Sequence, residues 1–271
     1  MLFSVPRMSV ALACRDAHAV EDTCRLDITI STEHSRLVGH LATPVTPAAA
    51  PGVVLCHGFP TGPRGAITSA TTFPELADRI TRETGCVALA FNCRGAGASE
   101  GDFSVAGWLD DIRAAVGELD DRPEVNGVWL VGVAEGGALA ITVAATDQRV
   151  HGVATLAAPL TLGEWARETG RLLEYARRIG MVRTPGFPES ISGWSREVAA
   201  IDAGASAREL APRPLFVLHG SDDEEVSLDD ARLLADAAAP NSELRVVQAA
   251  GHELRHDPRA IAALLGWLDR L

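Results

Sequence analysis

Three short stretches carry residue types suited to nucleophilic chemistry: Gly132-Val133-Ala134-Glu135-Gly136-Gly137, Asp222-Asp223-Glu224-Glu225 and Gly251-His252. A histidine oriented by a carboxylate can take the proton of a hydroxyl, and the oxygen can then attack an acyl carbon. The first stretch has the spacing of G-x-S-x-G, where small residues two places either side of the centre let a strand turn sharply into a helix. Gly132 and Gly136 meet that spacing, and Ala134 stands where the attacking serine belongs. A methyl group cannot attack a carbonyl. The chain therefore has a place for acyl transfer and no hydroxyl there to perform it.

The remaining parts of such a site can be named by position. His252 follows the strand-like run 244–248 and, with an unperturbed pKa near neutrality, suits proton transfer. Asp222 and Asp223 are the carboxylates available to orient it, whereas Glu224 and Glu225 read as solvated loop charges and His256 as a cap or solvated residue at the start of the last helix. An oxyanion hole needs two backbone N–H groups, one from the residue after the nucleophile and one from the loop after an earlier strand. Glu135 and Phe59 supply them by position, because Pro60 has no N–H, and neither donor depends on its side chain. No substitute nucleophile is evident. Recentring the turn on Glu135 puts Val133 where a small residue is needed. Cys56 and Cys93 read as buried structural thiols, and Ser69, Ser99 and Ser104 lie outside any such turn. With no H-E-x-x-H and no Cys/His cluster of zinc spacing, neither a metal nor a cofactor is expected.

These residues must be held by strands and helices in alternation. Strand-like runs fall at 25–32, 36–44, 52–56, 86–91, 127–133, 150–157 and 214–219, the first two joined at Glu33-His34-Ser35 as a hairpin. Helical spacing falls at 71–84, 105–119, 135–147, 228–239 and 258–270. Such alternation predicts a mostly parallel α/β sheet covered on both faces, with its crevice at the carboxyl ends of the strands. Residues 1–24 form an extension, and 25–159 with 206–271 form the core. Residues 160–205 form a helical insertion expected to act as a lid, far longer than an ordinary connection. In it Trp165, Leu172, Ala176 and Ile179 fall on one helical face, and a second helix is expected near 190–200.

In chain order the three stretches run nucleophile position, acid, base. Together with His57-Gly58-Phe59, Phe91-Asn92-Cys93-Arg94-Gly95-Ala96-Gly97-Ala98-Ser99-Glu100-Gly101 and His219-Gly220-Ser221-Asp222-Asp223-Glu224-Glu225-Val226, they resemble α/β-hydrolases of the serine-aminopeptidase-like or dienelactone-hydrolase-like kind, from about residue 35 to the end. The resemblance implies the α/β-hydrolase fold with a small helical lid and an esterase or thioesterase type of activity. It also implies Asp223, through H-G-x-x-D-x-x-V, as the acid. The implied partner is a small acyl or ester ligand, with Trp165, Tyr175 and Trp194 toward its pocket. Three functions fit Ala134. The first is an acyl hydrolase seen in a serine-to-alanine form, and the second a natural pseudohydrolase that binds a small hydrophobic or acyl ligand or a partner protein. The third is a base catalyst using His252 and Asp223 as a lyase or cofactor-independent oxygenase.

Composition sets the outer bounds. At 271 residues and 47% hydrophobic, the chain can bury one large core. A net charge of −12 argues against nucleic acid or an anionic membrane surface as partner. No run approaches the roughly 18 apolar residues of a membrane span, and the stretch 1–14 is too short and too interrupted by Arg7 for a secretory signal. Five cysteines without C-x-x-C spacing fit a reducing cytoplasm. Oligomeric state is left open.

Overall fold

Eight strands, β1 (Thr23–Ser31), β2 (Arg36–Pro44), β3 (Ala50–Cys56), β4 (Val87–Phe91), β5 (Val125–Val133), β6 (Val150–Leu156), β7 (Leu215–Gly220) and β8 (Ser242–Val247), pair into one sheet in the order β1-β2-β4-β3-β5-β6-β7-β8. The structure is a computed structural model that describes residues 23–45, 49–60 and 72–271. β1 and β2 are antiparallel to their neighbours, and the other pairs are parallel. Every residue of β4 and β7 is buried, which is why these strands read as unbroken apolar runs: each has a helix layer on both faces.

Alternation along β3 separates those two layers. Val54 and Cys56 face a core with Trp108, Ile112 and Leu119 of α2 (Val105–Asp120) and Leu139, Ile141 and Val143 of α3 (Glu135–Thr146). Val53 and Leu55 face a second core with Phe73, Ala77 and Ile80 of α1 (Phe73–Thr84) and Ile261, Leu264 and Leu268 of α9 (Pro258–Leu268). Because the central strands run parallel, the loops after β3, β5, β7 and β8 emerge at one edge. Among the described residues no helix is long and apolar enough to cross a membrane.

The segment between β6 and β7 holds α4 (Gly163–Arg167), α5 (Thr169–Arg178), α6 (Ile191–Ala199) and α7 (Ala203–Leu210). The single helical face expected through Trp165 and Leu172 is broken at Glu168. There the Thr169 hydroxyl donates to the carbonyls of Trp165 and Ala166 at 3.1 and 2.9 Å, tying the chain back on itself. α7 was not expected. Asp202 caps it by accepting from the Ala205 N–H at 2.8 Å, and it packs on α3, beside the core. Between β7 and β8 lies α8 (Leu228–Ala237).

The cap of α9 falls to Asp257, whose carboxylate accepts from the N–H groups of Arg259 and Ala260. His256, expected to cap or solvate that start, is half-exposed and accepts from the Arg255 guanidinium at 3.0 Å. Cys24 is disulfide-bonded, while Cys56, Cys86 and Cys93 are free. Cysteine usage therefore gives a reducing compartment less support than the odd count suggests.

Candidate functional site

The turn between β5 and α3 is built around a strained alanine. Ala134 has φ 49° and ψ −127°, a conformation a non-glycine residue adopts only where its surroundings hold it. Its N–H donates to the Leu156 carbonyl at 2.9 Å and its carbonyl accepts from the Gly137 N–H at 2.9 Å. Close backbone approach fixes the two flanking glycines. A Cβ on Gly132 would lie 2.4 Å from the Cα of Gly137, and one on Gly136 would lie 2.4 Å from the His57 carbonyl oxygen and 2.5 Å from that of Cys56. The sharp turn seen as a pattern in the sequence thus exists as geometry, with a methyl group at its apex.

Asp223 and His252 meet on the loops after β7 and β8. His252 Nδ1 lies 3.0 Å from Asp223 Oδ2 and 3.2 Å from Oδ1. Oδ1 also accepts the N–H groups of Glu225 and Val226, both at 2.9 Å, so the fully buried carboxylate is clamped with one oxygen toward the imidazole. Asp222 points elsewhere and accepts from the Ser221 hydroxyl at 2.6 Å. Glu225, expected to be a solvated loop charge, places its carboxylate 3.9 Å from His252 Nε2 while staying 62% exposed. His252 lies near enough to the turn to act electrostatically on the Glu135 carboxyl, the residue after Ala134.

The side chain of Glu135 was not expected to matter. Its Oε2 accepts the Phe59 N–H at 3.0 Å, across 76 residues of sequence. Burial pushes the Glu135 carboxyl up from its ordinary value; the Phe59 N–H and the nearby His252 oppose that shift. One of the two backbone donors predicted for an oxyanion hole, the Phe59 N–H, therefore points at a carboxylate of the chain itself.

Aromatic rings wall this region. Phe59 packs against Phe103 at 4.7 Å between ring centroids, against Trp165 at 5.2 Å and against Tyr175 at 6.1 Å, and the Tyr175 hydroxyl donates to the Pro60 carbonyl at 3.4 Å. Trp194 is only 2% exposed and packs edge-on to Phe103, inside the core. The loop 94–101 is anchored by Arg94, whose guanidinium and N–H both bond to the buried Asp111. Ser99 donates to the Asn92 carbonyl and accepts from the Val38 N–H, and Ser104 caps α2. Burial pushes the thiols of Cys56 and Cys93 up, which keeps them protonated and unreactive. Ser69 lies outside the described residues. Among the described residues no cluster of side chains could hold a metal ion.

His57 is a second histidine at this edge, with a structural arrangement. Its Nδ1–H donates to the Gly58 carbonyl at 2.9 Å and its Nε2 accepts the Cys93 N–H at 3.0 Å, joining the ends of β3 and β4. Burial lowers its pKa from 6.5 to about 4. The folded state thus holds it neutral, and the unfolded chain takes up the proton first as pH falls. The associated stability is complete above about pH 6.5 and is lost as pH falls through about 4, amounting to about 3 kcal/mol at about 1.36 kcal/mol per unit. Urea unfolding of the native chain and of His57→Gln at pH 7 and pH 4 should show a smaller acid loss in the variant. Equal losses would show that His57 is not held neutral.

A protein-family model described as the alpha/beta hydrolase family matches residues 53–264. Among solved structures, the chain is similar to Est1E from Butyrivibrio proteoclasticus with ferulic acid bound, at 21% identity and TM-score 0.70, covering 90% of this chain and 96% of that one. It is also similar to the alpha/beta hydrolase GrgF from Penicillium sp. sh18, at 20% identity and TM-score 0.68, covering 91% and 98%. A third similar structure is the Pyrococcus furiosus esterase Pf2001, at 19% identity and TM-score 0.67, covering 91% and 90%. No curated protein sequence matches at a significant level.

Proposed function

The chain belongs to the alpha/beta hydrolase family, and from that premise we propose that it is an ester- or thioester-type member that holds an acyl ligand beside His252 without forming an acyl-enzyme. The observation that carries this reading is Ala134 at φ 49°, a side chain with no hydroxyl at the apex of the turn that presents the nucleophile in this fold. Asp223 and His252 take the roles of acid and base, Asp223 holding the imidazole so that Nε2 is free to accept a proton. Residues 160–205 act as a lid, supported by the packing of Trp165 and Tyr175 on Phe59. A small ester or thioester is the ligand class.

A second reading keeps His252 and Asp223 as a general base for a lyase or oxygenase reaction. It is supported by a clamped Asp223–His252 pair with an alanine, not a serine, at position 134. Turnover of p-nitrophenyl butyrate and of a butyryl thioester separates the readings. The native chain should release product no faster than His252→Ala, whereas Ala134→Ser should give turnover that His252→Ala abolishes. His252-dependent turnover by the native chain would favour the second reading, and an Ala134→Ser chain that neither turns over nor labels with a fluorophosphonate, with Glu135 present or replaced, would remove the first.

A further inference from the structure

Deepening the proposed function, on which it rests, we infer that the Glu135 carboxylate is a resident occupant of the oxyanion pocket. A carbonyl oxygen enters only when that side chain withdraws, and a serine at position 134 alone restores little turnover. The pocket's two donors are the N–H groups of Phe59 and Glu135; the Glu135 carboxylate accepts the first at 3.0 Å and belongs to the same residue as the second. The fit is close on the other side too. A Cβ on Gly58 would lie 3.0 Å from Glu135 Oε2 and 3.0 Å from the Ala134 methyl, so the carboxylate oxygen and the nucleophile position border the same small space over Gly58.

An acidic residue in the first turn of a helix is ordinarily explained by the positive end of the helix dipole. That explanation leaves out the Phe59 N–H, which belongs to the loop after β3 and donates to this carboxylate at 3.0 Å. A charged acceptor binds an N–H about twice as strongly as a neutral one. An ester or thioester carbonyl therefore loses the competition for the Phe59 donor in the ground state. The tetrahedral oxyanion that hydrolysis must pass through meets, in addition, a carboxylate of like charge. The ligand class that replaces Glu135 without loss is one bearing its own carboxylate or oxyanion, once Glu135 is gone or turned away.

The test compares Ala134→Ser with Ala134→Ser/Glu135→Ala, using p-nitrophenyl butyrate and a fluorophosphonate whose phosphonyl oxygen seeks the same pocket. Removing an oxyanion-hole donor ordinarily costs about 10²–10³-fold, so freeing the Phe59 donor should raise kcat/KM at least about 100-fold in the double variant. Its labelling at position 134 should accelerate in parallel. Melting curves check that both fold. Should the alanine at 135 prevent folding, Ala134→Ser/Glu135→Gln replaces it, and a rise of at least about tenfold is expected because a neutral amide holds the Phe59 N–H less strongly. Equal turnover and labelling with and without Glu135 overturns the inference while leaving the proposed function standing. Absence of labelling in both folded variants, with loading shown by mass spectrometry to be zero, removes the proposed arrangement of Asp223 and His252 itself.

Discussion

Gly136→Ala is expected to destabilise the native chain by about 4 kcal/mol or more, enough to lower the melting temperature by about 10 °C in a domain of this size. The added methyl meets backbone, not a side chain that can rotate away: the His57 and Cys56 carbonyl oxygens at 2.4 and 2.5 Å and the His57 carbonyl carbon at 2.7 Å. Those atoms terminate β3, which is hydrogen-bonded on both sides by β4 and β5, so relief requires moving a central strand. Gly170, where an added Cβ meets nothing within 4 Å, is the control: Gly170→Ala should leave the melting temperature within a degree or two. Differential scanning calorimetry of the two variants decides it. A Gly136→Ala chain that melts with the native one would mean that the turn is not built as described.

Asp223→Asn, placed in the Ala134→Ser/Glu135→Ala chain, is expected to lower ester turnover about ten-thousand-fold. The direction of the new amide is forced by its neighbours. Oδ1 accepts two backbone N–H groups, from Glu225 and Val226, so the carbonyl oxygen of asparagine must stay there. The NH₂ then takes the place of Oδ2, 3.0 Å from His252 Nδ1, and needs an acceptor. The imidazole complies only by moving its proton from Nδ1 to Nε2, which removes the base from the face that must take the serine proton. Turnover as a function of pH, together with the imidazole nitrogen shifts of His252, reads both the loss and the tautomer. A variant that retains turnover within tenfold would show that Asp223 does not set the proton position.

Much of this architecture was legible before the structure. Buried parallel strands have to be continuously apolar, and the runs at 52–56, 86–91 and 214–219 match β3, β4 and β7 within a residue or two. Gly132, Ala134 and Gly136 carry their geometry in their spacing, because the turn is local. The choice of Asp223 over Asp222 required a family pattern, since two adjacent carboxylates differ only in where the loop aims them. What the sequence hid depends on contacts made across long separations. The Glu135 carboxylate bonds to Phe59 across 76 residues, and His57 to Cys93 across 36, and no local period records either. The break between α4 and α5 and the helix α7 had local signals, Thr169-Gly170 and Asp202 as a cap, which the apolar spacing through Trp165 and Leu172 overrode.

Intact-mass analysis after prolonged exposure to a fluorophosphonate tests most directly whether Ala134 occupies the nucleophile position opposite the Asp223–His252 pair. The native chain, Ala134→Ser and Ala134→Ser/His252→Ala should be run side by side. No adduct is expected on the native chain, a single adduct mapping to the introduced serine in Ala134→Ser, and loss of that adduct when His252 is also removed. An adduct on the native chain would reveal a nucleophile elsewhere, and a folded Ala134→Ser chain that never labels, with Glu135 present or replaced by alanine, would show that position 134 does not face the imidazole at all.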